Sequence, residues 1–310
     1  MVVRFLNSLL ISAALISVPS LGADISTLMQ SNYREYVAKR QADPDVLPFD
    51  LSSEEKRIGG ESVARVRYLL KGIPFEVFAL QLSTISEWCE FIPLHLNIKA
   101  CAAITRGDQQ YLQFYAGVKG YLTPKEASLL ELEYSTKWES ELFLVDMYAP
   151  TGPYRTTDVN FDIRAIPVEE GIYFEFDLSS VPGVAAQLAK VYLATVGRNK
   201  IGFSSDGTNW RGKPKYVGGQ RGAAERNIVR YLLAIETYFD TLELPAENQF
   251  EARIMNWFDS TERYRKQLFE LEREDYLSIK RRERRNQEIL KAAIANNTTP
   301  VYKVPVEKRQ

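Results

Sequence analysis

The sequence predicts an α+β fold in which a curved antiparallel sheet wraps around one long helix near the C-terminus. Residues 158–166 and 171–178 alternate apolar and polar side chains, as two paired strands with one buried face do. Residues 224–242 instead carry apolar side chains at three- and four-residue steps, which is typical of an amphipathic helix. Each apolar surface needs a cover, so we expect the sheet and the helix to bury one another.

The remaining elements follow from the same two patterns. Helices are predicted at 24–41, at 75–92 as two short pieces, at 184–196, and at 250–296 as one or two pieces. Further strands are predicted at 62–73, 94–105, 110–119, 128–137 and 141–149. The glycine-rich stretch 197–222 is predicted to be a long loop or a loose hairpin, and a mobile lid is its candidate function.

Composition excludes several function classes. The 310 residues include 39 Lys and Arg against 40 Asp and Glu, which argues against a general nucleic-acid binder. His95 is the single histidine, so multi-histidine metal sites and HExxH metalloproteases are excluded. The two cysteines cannot supply a four-thiolate zinc site. We therefore expect neither a metal nor a cofactor, nor a nucleic-acid partner.

The first 23 residues have the pattern of a secretory signal peptide. Arg4 is the only charge before Asp24, and residues 5–18 form a mostly apolar run followed by small residues. Cleavage near Ala23 would export the chain to the periplasm or the medium. An uncleaved N-terminal anchor is the alternative, although the run is shorter than the roughly 20 apolar residues of a spanning helix.

Export favours a disulfide between Cys89 and Cys101, because an even cysteine count in an oxidising compartment usually means pairing. Closing a loop of this length would stabilise the fold by about 3 kcal/mol in the chain-entropy model. The alternative is a pair of unlinked, buried thiols. A catalytic cysteine is disfavoured because His95 is its only conceivable partner.

Charge divides the chain into an acidic body and a basic arm. Residues 251–310 carry a net charge of +4 and residues 24–250 a net charge of −6. The predicted divisions are a signal peptide at 1–23, a helix and linker at 24–60, a main domain at 61–242, a charged helical arm at 243–296 and a disordered tail at 297–310. The arm is predicted to lie on an anionic membrane, to contact a protein partner, or simply to pack along the body as a solvated helix. Its densest basic run contains Lys280, Arg281, Arg282, Arg284 and Arg285.

Three segments of the main domain carry a family resemblance. They are Pro74-Phe75-Glu76-Val77-Phe78, then Trp88-Cys89-Glu90-Phe91-Ile92-Pro93, and the paired 161–167 and 171–176. Together they resemble the START-like and polyketide-cyclase-like proteins of the birch-pollen-allergen superfamily, over about residues 61–242. The resemblance implies a helix-grip fold with an internal cavity that binds a lipid, sterol or polyketide. The N-terminal helix, the glycine-rich stretch and the basic arm depart from the minimal family pattern.

Candidate site residues follow from that implied cavity. The cavity-lining candidates are Trp88, Phe161, Phe174, Phe176, Tyr231 and Tyr238, with solid core packing as the alternative. Arg226 and Arg230 lie one helical turn apart and are candidates for an anionic head group, or else part of a solvated face. His95 is interpreted first as a structural residue, with an acid–base role as the alternative.

We therefore expect an exported protein of the bacterial envelope that binds or carries a hydrophobic, lipid-like ligand without catalysis. Two alternatives stay open. One is an interaction or scaffold protein that uses the basic arm. The other is a cyclase- or hydrolase-like enzyme on the same scaffold, which needs an acid–base pair inside the cavity.

Overall fold

A computed structural model describes residues 21–55, 60–183, 200–208 and 210–302. Most of the predicted signal peptide, the predicted helix at 184–196 and the last eight residues lie outside these ranges. Within them, no helix has the length and apolar character needed to cross a membrane.

Eight strands form one antiparallel sheet in the order β1-β2-β8-β7-β6-β5-β4-β3. Their bounds are β1 Phe49–Glu55, β2 Ser62–Leu70, β3 Ile98–Arg106, β4 Gln109–Ala116, β5 Ser128–Glu139, β6 Leu142–Thr151, β7 Thr157–Val168 and β8 Gly171–Val181. The six strands from β3 to β8 form an unbroken meander, because each is joined to the next by a short connection. The 3₁₀ turn Pro124–Glu126 precedes β5, and another at Pro153–Arg155 precedes β7.

The turn between β7 and β8 requires glycine. Gly171 has φ +146°, and a Cβ at this position would lie 2.2 Å from the Leu70 carbonyl oxygen. Any side chain would therefore push β8 away from β2 at this end of the sheet. This glycine helps fix the register in which Leu70 lies opposite Ile172.

Seven α-helices complete the described chain, with further 3₁₀ turns at Ile85–Glu87 and Ile92–Leu94. They are α1 Leu21–Ala42, α2 Phe75–Ser83, α3 Trp88–Phe91, α4 Gly219–Asp240, α5 Ala246–Glu262, α6 Arg265–Leu268 and α7 Arg273–Ala295. Pro74 precedes α2, where its missing N–H costs no hydrogen bond. Two short strands, β9 Ser205–Thr208 and β10 Pro214–Tyr216, form a separate hairpin before α4.

The long helix α4 lies in the concave face of the curved sheet. Ile228, Leu232 and Ile235 are at most 1% exposed and share one core with inward-facing residues of the strands, including Phe161 and Phe176. This is the helix-grip fold, so the predicted fold class is confirmed. The fold implied by the family resemblance is confirmed with it.

One boundary prediction is wrong. The predicted linker before Gly60 contains strand β1, which pairs with β2 along its whole length. Phe49, 2% exposed, anchors it through ring contacts with Phe203 and Tyr264 at 5.6 Å. Three acidic residues in this strand conceal the pattern, because a polar edge strand resembles a linker in sequence.

A second boundary differs for a local reason. The strand predicted from Leu94 begins only at Ile98, because Pro93 lies in the 3₁₀ turn Ile92–Leu94. The carbonyl oxygen of His95 then accepts a hydrogen bond from the Ile98 backbone N–H at 3.1 Å, which closes a further turn. His95 therefore lies in the bend before β3 and not inside a strand.

The disulfide between Cys89 and Cys101 is present, as predicted, and links α3 to β3. The side chain of Gln287 in α7 lies beside it. Its amide oxygen accepts from the Cys101 backbone N–H at 2.8 Å, and its amide nitrogen donates to the Cys89 carbonyl oxygen at 3.0 Å. Gln287 is 1% exposed, so α7 is attached to the body at this point by buried polar contacts.

Candidate functional site

Three of the predicted lining residues meet where α4 crosses β7 and β8. The ring of Tyr231 lies 5.6 Å from that of Phe161 and 6.3 Å from that of Phe176. The rings of Phe161 and Phe114 are 5.9 Å apart, which extends the cluster to β4. We call Phe114, Phe161, Phe176 and Tyr231 the inner aromatic cluster. All four are at most 7% exposed, and the three phenylalanine rings of the strands form an apolar surface against Tyr231 on α4.

His95 stacks on this cluster. Its ring centroid lies 4.5 Å from that of Tyr231, and the residue is 2% exposed. The Asn97 backbone N–H donates to Nδ1 at 3.1 Å, so the neutral ring carries its proton on Nε2. Nε2 has no hydrogen-bond partner within the described part of the chain. Asn227 lies beside the ring, but its amide does not meet Nε2 with hydrogen-bond geometry.

The surroundings keep His95 neutral. Burial lowers its pKa well below the usual value of 6.5, and the positive charges of Arg230, Lys280 and Lys99 lower it further. Asn227 opposes this only weakly. At neutral pH the imidazole is therefore a hydrogen-bond donor through Nε2 and not a cation.

Arg230, one of the two predicted anion-binding residues, is 4% exposed and already ion-paired. Its guanidinium donates to the Glu270 carboxylate at 2.9 Å and to the Leu268 carbonyl oxygen at 3.1 Å. Burial lowers the pKa of Arg230 to about 10, and the Glu270 carboxylate opposes that shift. Its Nε is a second buried donor for which the described chain offers no hydrogen-bond partner.

Glu270 forms ion pairs with three cations near Arg230 of α4. Besides Arg230, it accepts hydrogen bonds from Lys119 and, at 2.9 Å, from Lys200. Burial opposes its ionisation, but the hydrogen bonds and charges of these cations outweigh burial, so the pKa of Glu270 is lowered. The result is an ionised carboxylate at the boundary between α4 and the loops around it.

Arg226 is placed differently. It is 8% exposed and donates to the Ile201 carbonyl oxygen at 3.2 Å. Burial lowers its pKa, and the charges of Glu270 and Glu225 oppose that shift. Its guanidinium is thus a buried structural donor, and the pair Arg226 and Arg230 does not form a solvated face.

The other three predicted lining residues belong to the same core but lie in its other half, beside α2 and α3. Phe174 contacts Phe78 at 5.7 Å. The Tyr238 hydroxyl is within 2.6 Å of Gln81 Oε1 and 2.7 Å of Glu87 Oε2, so its polar group is occupied by the α2 region. Trp88 donates its indole N–H to the Leu82 carbonyl oxygen at 2.9 Å. These residues hold α2 and α3 against the sheet.

The basic arm is attached to the body rather than free. Lys280 is 3% exposed and donates to Glu283, His95 and Ile98, while Arg281 binds Glu251 at 2.9 Å. Arg284 contacts Glu90 at 2.9 Å, and Arg282 lies over the Tyr121 ring at 3.6 Å. Of the five cations predicted as a contact surface, Arg285 is exposed, and the Arg281 side chain is 42% exposed although it is paired with Glu251. Of the three alternatives for the arm, these contacts fit packing along the body, and contact with a membrane or a protein partner through the arm stays a prediction.

Chemically, the site combines an apolar surface with two buried donors. An Nε2–H of a neutral imidazole and an Nε–H of an arginine can each donate to an oxygen. In the described residues no group of three or more His, Cys, Asp or Glu side chains could hold a metal ion. The nearby carboxylate of Glu270 is held by three cations, which suits structural pairing better than proton transfer.

Sequence reasoning missed Glu270 and underestimated His95. Glu270 lies 40 residues after its partner Arg230, so no local spacing connects them. The sequence favours a structural role for His95, whereas its Nε2 lacks a partner in the described chain. The sequence shows only that the single histidine follows Pro93 by two residues, and this spacing does not reveal that Nε2 lacks a hydrogen-bond partner.

No protein-family model matches the sequence, and no curated protein sequence matches it. Solved structures do show similarity. The di-domain ARO/CYC StfQ from the steffimycin biosynthetic pathway is 12% identical with a TM-score of 0.28, and the match covers 56% of this chain and 55% of that one. The chain thus spans about half the length of that protein.

Two further structures are similar. CalU16 from Micromonospora echinospora is 10% identical, with a TM-score of 0.29 and coverage of 68% of this chain and 95% of that one. Human StAR-related lipid transfer protein 5 is 10% identical, with a TM-score of 0.26 and coverage of 55% and 91%.

Proposed function

We propose that this protein binds or carries a hydrophobic, lipid-like molecule between α4 and the concave face of the sheet, without catalysis. The observation that carries the proposal is a buried hydrogen-bond donor in apolar surroundings. His95 Nε2–H is buried against the inner aromatic cluster and has no partner in the described chain. Leaving a buried donor unpaired destabilises a protein by about 1–3 kcal/mol, so a ligand oxygen that accepts this hydrogen bond is favoured there.

The aromatic surface supports the same proposal. Phe114, Phe161 and Phe176 on the strands face Tyr231 on α4, and this is where the sheet and helix meet. A hydrophobic molecule placed between them gains about 25 cal/mol for each Å² of apolar surface removed from water. The ligand would have to part α4 from β7 and β8, so uptake requires a small movement of this helix.

The proposed location is the bacterial envelope, after export. The apolar run before Pro19 and the small residues up to Ala23 support export, as does the disulfide, which suits an oxidising compartment. Measuring the N-terminal residue of the protein recovered from a bacterial periplasmic extract tests this part. An N-terminus near Asp24 is expected, and a chain that retains Met1 in the cytoplasm would contradict it.

The ligand itself is tested by extraction. Protein purified under native conditions is extracted with organic solvent and the extract analysed by mass spectrometry, and a fluorescent fatty acid is then titrated into the delipidated protein. We expect a co-purifying lipid, or saturable binding of the fatty acid. Protein that carries no lipid and does not bind the probe would overturn the proposal.

A matched pair of variants places the site. Phe161→Leu and Phe174→Leu make the same change at residues that are 4% and 0% exposed, in the two halves of the core. Each is expected to lower stability by about 1–2 kcal/mol. Only Phe161→Leu is expected to change the affinity for the probe. Equal effects of both variants on binding would exclude the inner aromatic cluster as the site.

A further inference from the structure

The hairpin formed by β9 and β10 carries an exposed tryptophan. Trp210 is 86% exposed, the highest value for a large hydrophobic side chain in the described chain. It lies in the connection between Thr208 and Pro214, which face each other across the two strands. Residues 205–208 and 210–215 are all exposed, so the hairpin projects from the body.

Cations surround this tryptophan. Arg211 lies over the Trp210 ring at 4.3 Å, and Lys213 and Lys215 follow at alternate positions. From α6, Lys266 lies over the Tyr216 ring at 4.3 Å and adds a fourth positive charge at the base. Asp206 is the single acidic residue among residues 205–216, and it is paired with Arg221 at 3.2 Å.

The base of the hairpin is held firmly on α4. Val217 N–H donates to the Ser204 carbonyl oxygen at 2.9 Å, and Gly202 N–H donates to Val217 at 2.7 Å. The carboxylate of Glu225, which is fully buried, accepts from the Phe203 and Ser204 backbone N–H groups at 2.7 and 3.0 Å. The exposed tip is thus positioned relative to α4.

We propose that this hairpin docks the protein on an anionic lipid surface, with the Trp210 indole at head-group depth. Tryptophan favours the membrane–water interface, because its ring is apolar and its N–H can still reach a polar partner. Lysine and arginine beside it are attracted to phosphate groups of anionic lipids.

The charge distribution of the molecule favours an orientation in which the tip of the hairpin faces an anionic lipid surface. Residues 24–250 carry a net charge of −6, so an anionic surface repels the body as a whole. Within this acidic part of the chain, the hairpin is a basic segment, and its attraction favours orientations with the tip toward the membrane. A single projecting aromatic ring also suits insertion between lipid head groups, whereas a folded protein partner would need a broader apolar patch.

Vesicle co-sedimentation tests the proposal. The full chain is mixed with phosphatidylcholine vesicles that contain or lack phosphatidylglycerol, at low and high salt. We expect binding to the anionic vesicles only, weakened by salt. Trp210→Ala is expected to reduce binding about tenfold, and Lys213→Gln with Lys215→Gln about thirtyfold.

Two further variants serve as controls. Trp138→Ala removes another exposed tryptophan, 45% exposed at the end of β5, and Arg285→Gln removes an exposed cation of the arm. Each is expected to change vesicle binding less than twofold. The proposal is overturned if the wild-type protein ignores anionic vesicles, if it binds both vesicle types equally, or if Trp138→Ala weakens binding as much as Trp210→Ala.

Discussion

Two basic segments of this protein have opposite environments. The arm segment 280–285 has the denser charge, yet Lys280 is 3% exposed, Arg282 and Arg284 contact groups of the body, and Arg281 pairs with Glu251 of α5. The hairpin 205–216 has fewer cations, but its tip is exposed and contains Trp210. The density of charge in a sequence therefore does not reveal which segment faces solvent or a partner.

The difference arises from helical spacing. Tyr276, Lys280, Glu283, Gln287 and Leu290 recur at four- and three-residue steps and lie on the buried face of α7. Three of these five positions are polar, so an apolar stripe cannot be seen in the sequence. Glu283 compensates two buried lysines, with Lys99 at 3.0 Å and Lys280 at 2.8 Å. Burial lowers the pKa of Lys280 to about 8, against the opposing effect of Glu283.

The largest expected effect comes from removing the charge at the centre of that cluster. Glu283→Gln leaves Lys99 and Lys280 buried without a counter-charge, and the free energy of unfolding is expected to fall by about 3–5 kcal/mol. Urea denaturation followed by circular dichroism measures this. Glu288→Gln on the same helix is the control, because Glu288 is exposed and pairs with Arg284 and Lys291 at the surface.

Glu288→Gln should change stability by no more than about 0.5 kcal/mol. If both variants lose the same stability, the surface ion pairs hold the arm as strongly as the buried Glu283 does. The arm would then differ less from the exposed hairpin than its buried contacts indicate.

A smaller effect on stability is expected from lowering the pH, which acts on His95 where the arm meets the body. The pKa of His95 is lowered in the folded state, so below pH 6.5 the unfolded chain binds more protons than the folded chain. Stability is therefore expected to fall as the pH decreases from 6.5, and to be unaffected by this group above 6.5. Because His95 is the only histidine, a His95→Gln variant isolates the effect.

The measurement is the free energy of unfolding of both proteins at pH 7 and pH 5. The wild-type protein is expected to lose more stability between these values than the variant, since carboxylates contribute equally to both. Parallel pH profiles would show that the imidazole is not held neutral.

The smallest expected effect is in the hairpin. Trp210→Ala removes a side chain that is 86% exposed, so stability should change by no more than about 0.5 kcal/mol. Thermal unfolding measures this. A large loss of stability would mean that Trp210 packs on the body, which would remove the contrast with the arm and undermine the membrane proposal.

Much of the fold was readable from the sequence. Alternation located β7 and β8 within three residues of their observed ends, and helical spacing located α4. The edge strand β1 was missed because Ser52, Ser53, Glu54 and Glu55 give it a polar surface. Edge strands bury little, so the hydrophobic pattern that reveals central strands is weak there.

Less of the candidate site was readable. Aromatic identity and strand alternation placed Phe161 and Phe176 on the inner face, but they could not separate these residues from Phe174, which lies in the other half of the core. The pairing of Arg230 with Glu270 and the missing partner of His95 depend on long-range geometry. Such contacts join residues far apart in the chain and leave no periodic signal.

The position of Gln287 has a consequence for assembly. Strand β3 ends the sheet, and the outward backbone N–H of Cys101 is already taken by the Gln287 amide. The helix α7 thus occupies the place where a strand from another molecule would pair. A chain shortened before Arg273 would expose this strand and is expected to self-associate through it. Loss of the arm would then appear as aggregation, which a pull-down experiment can mistake for the loss of a partner.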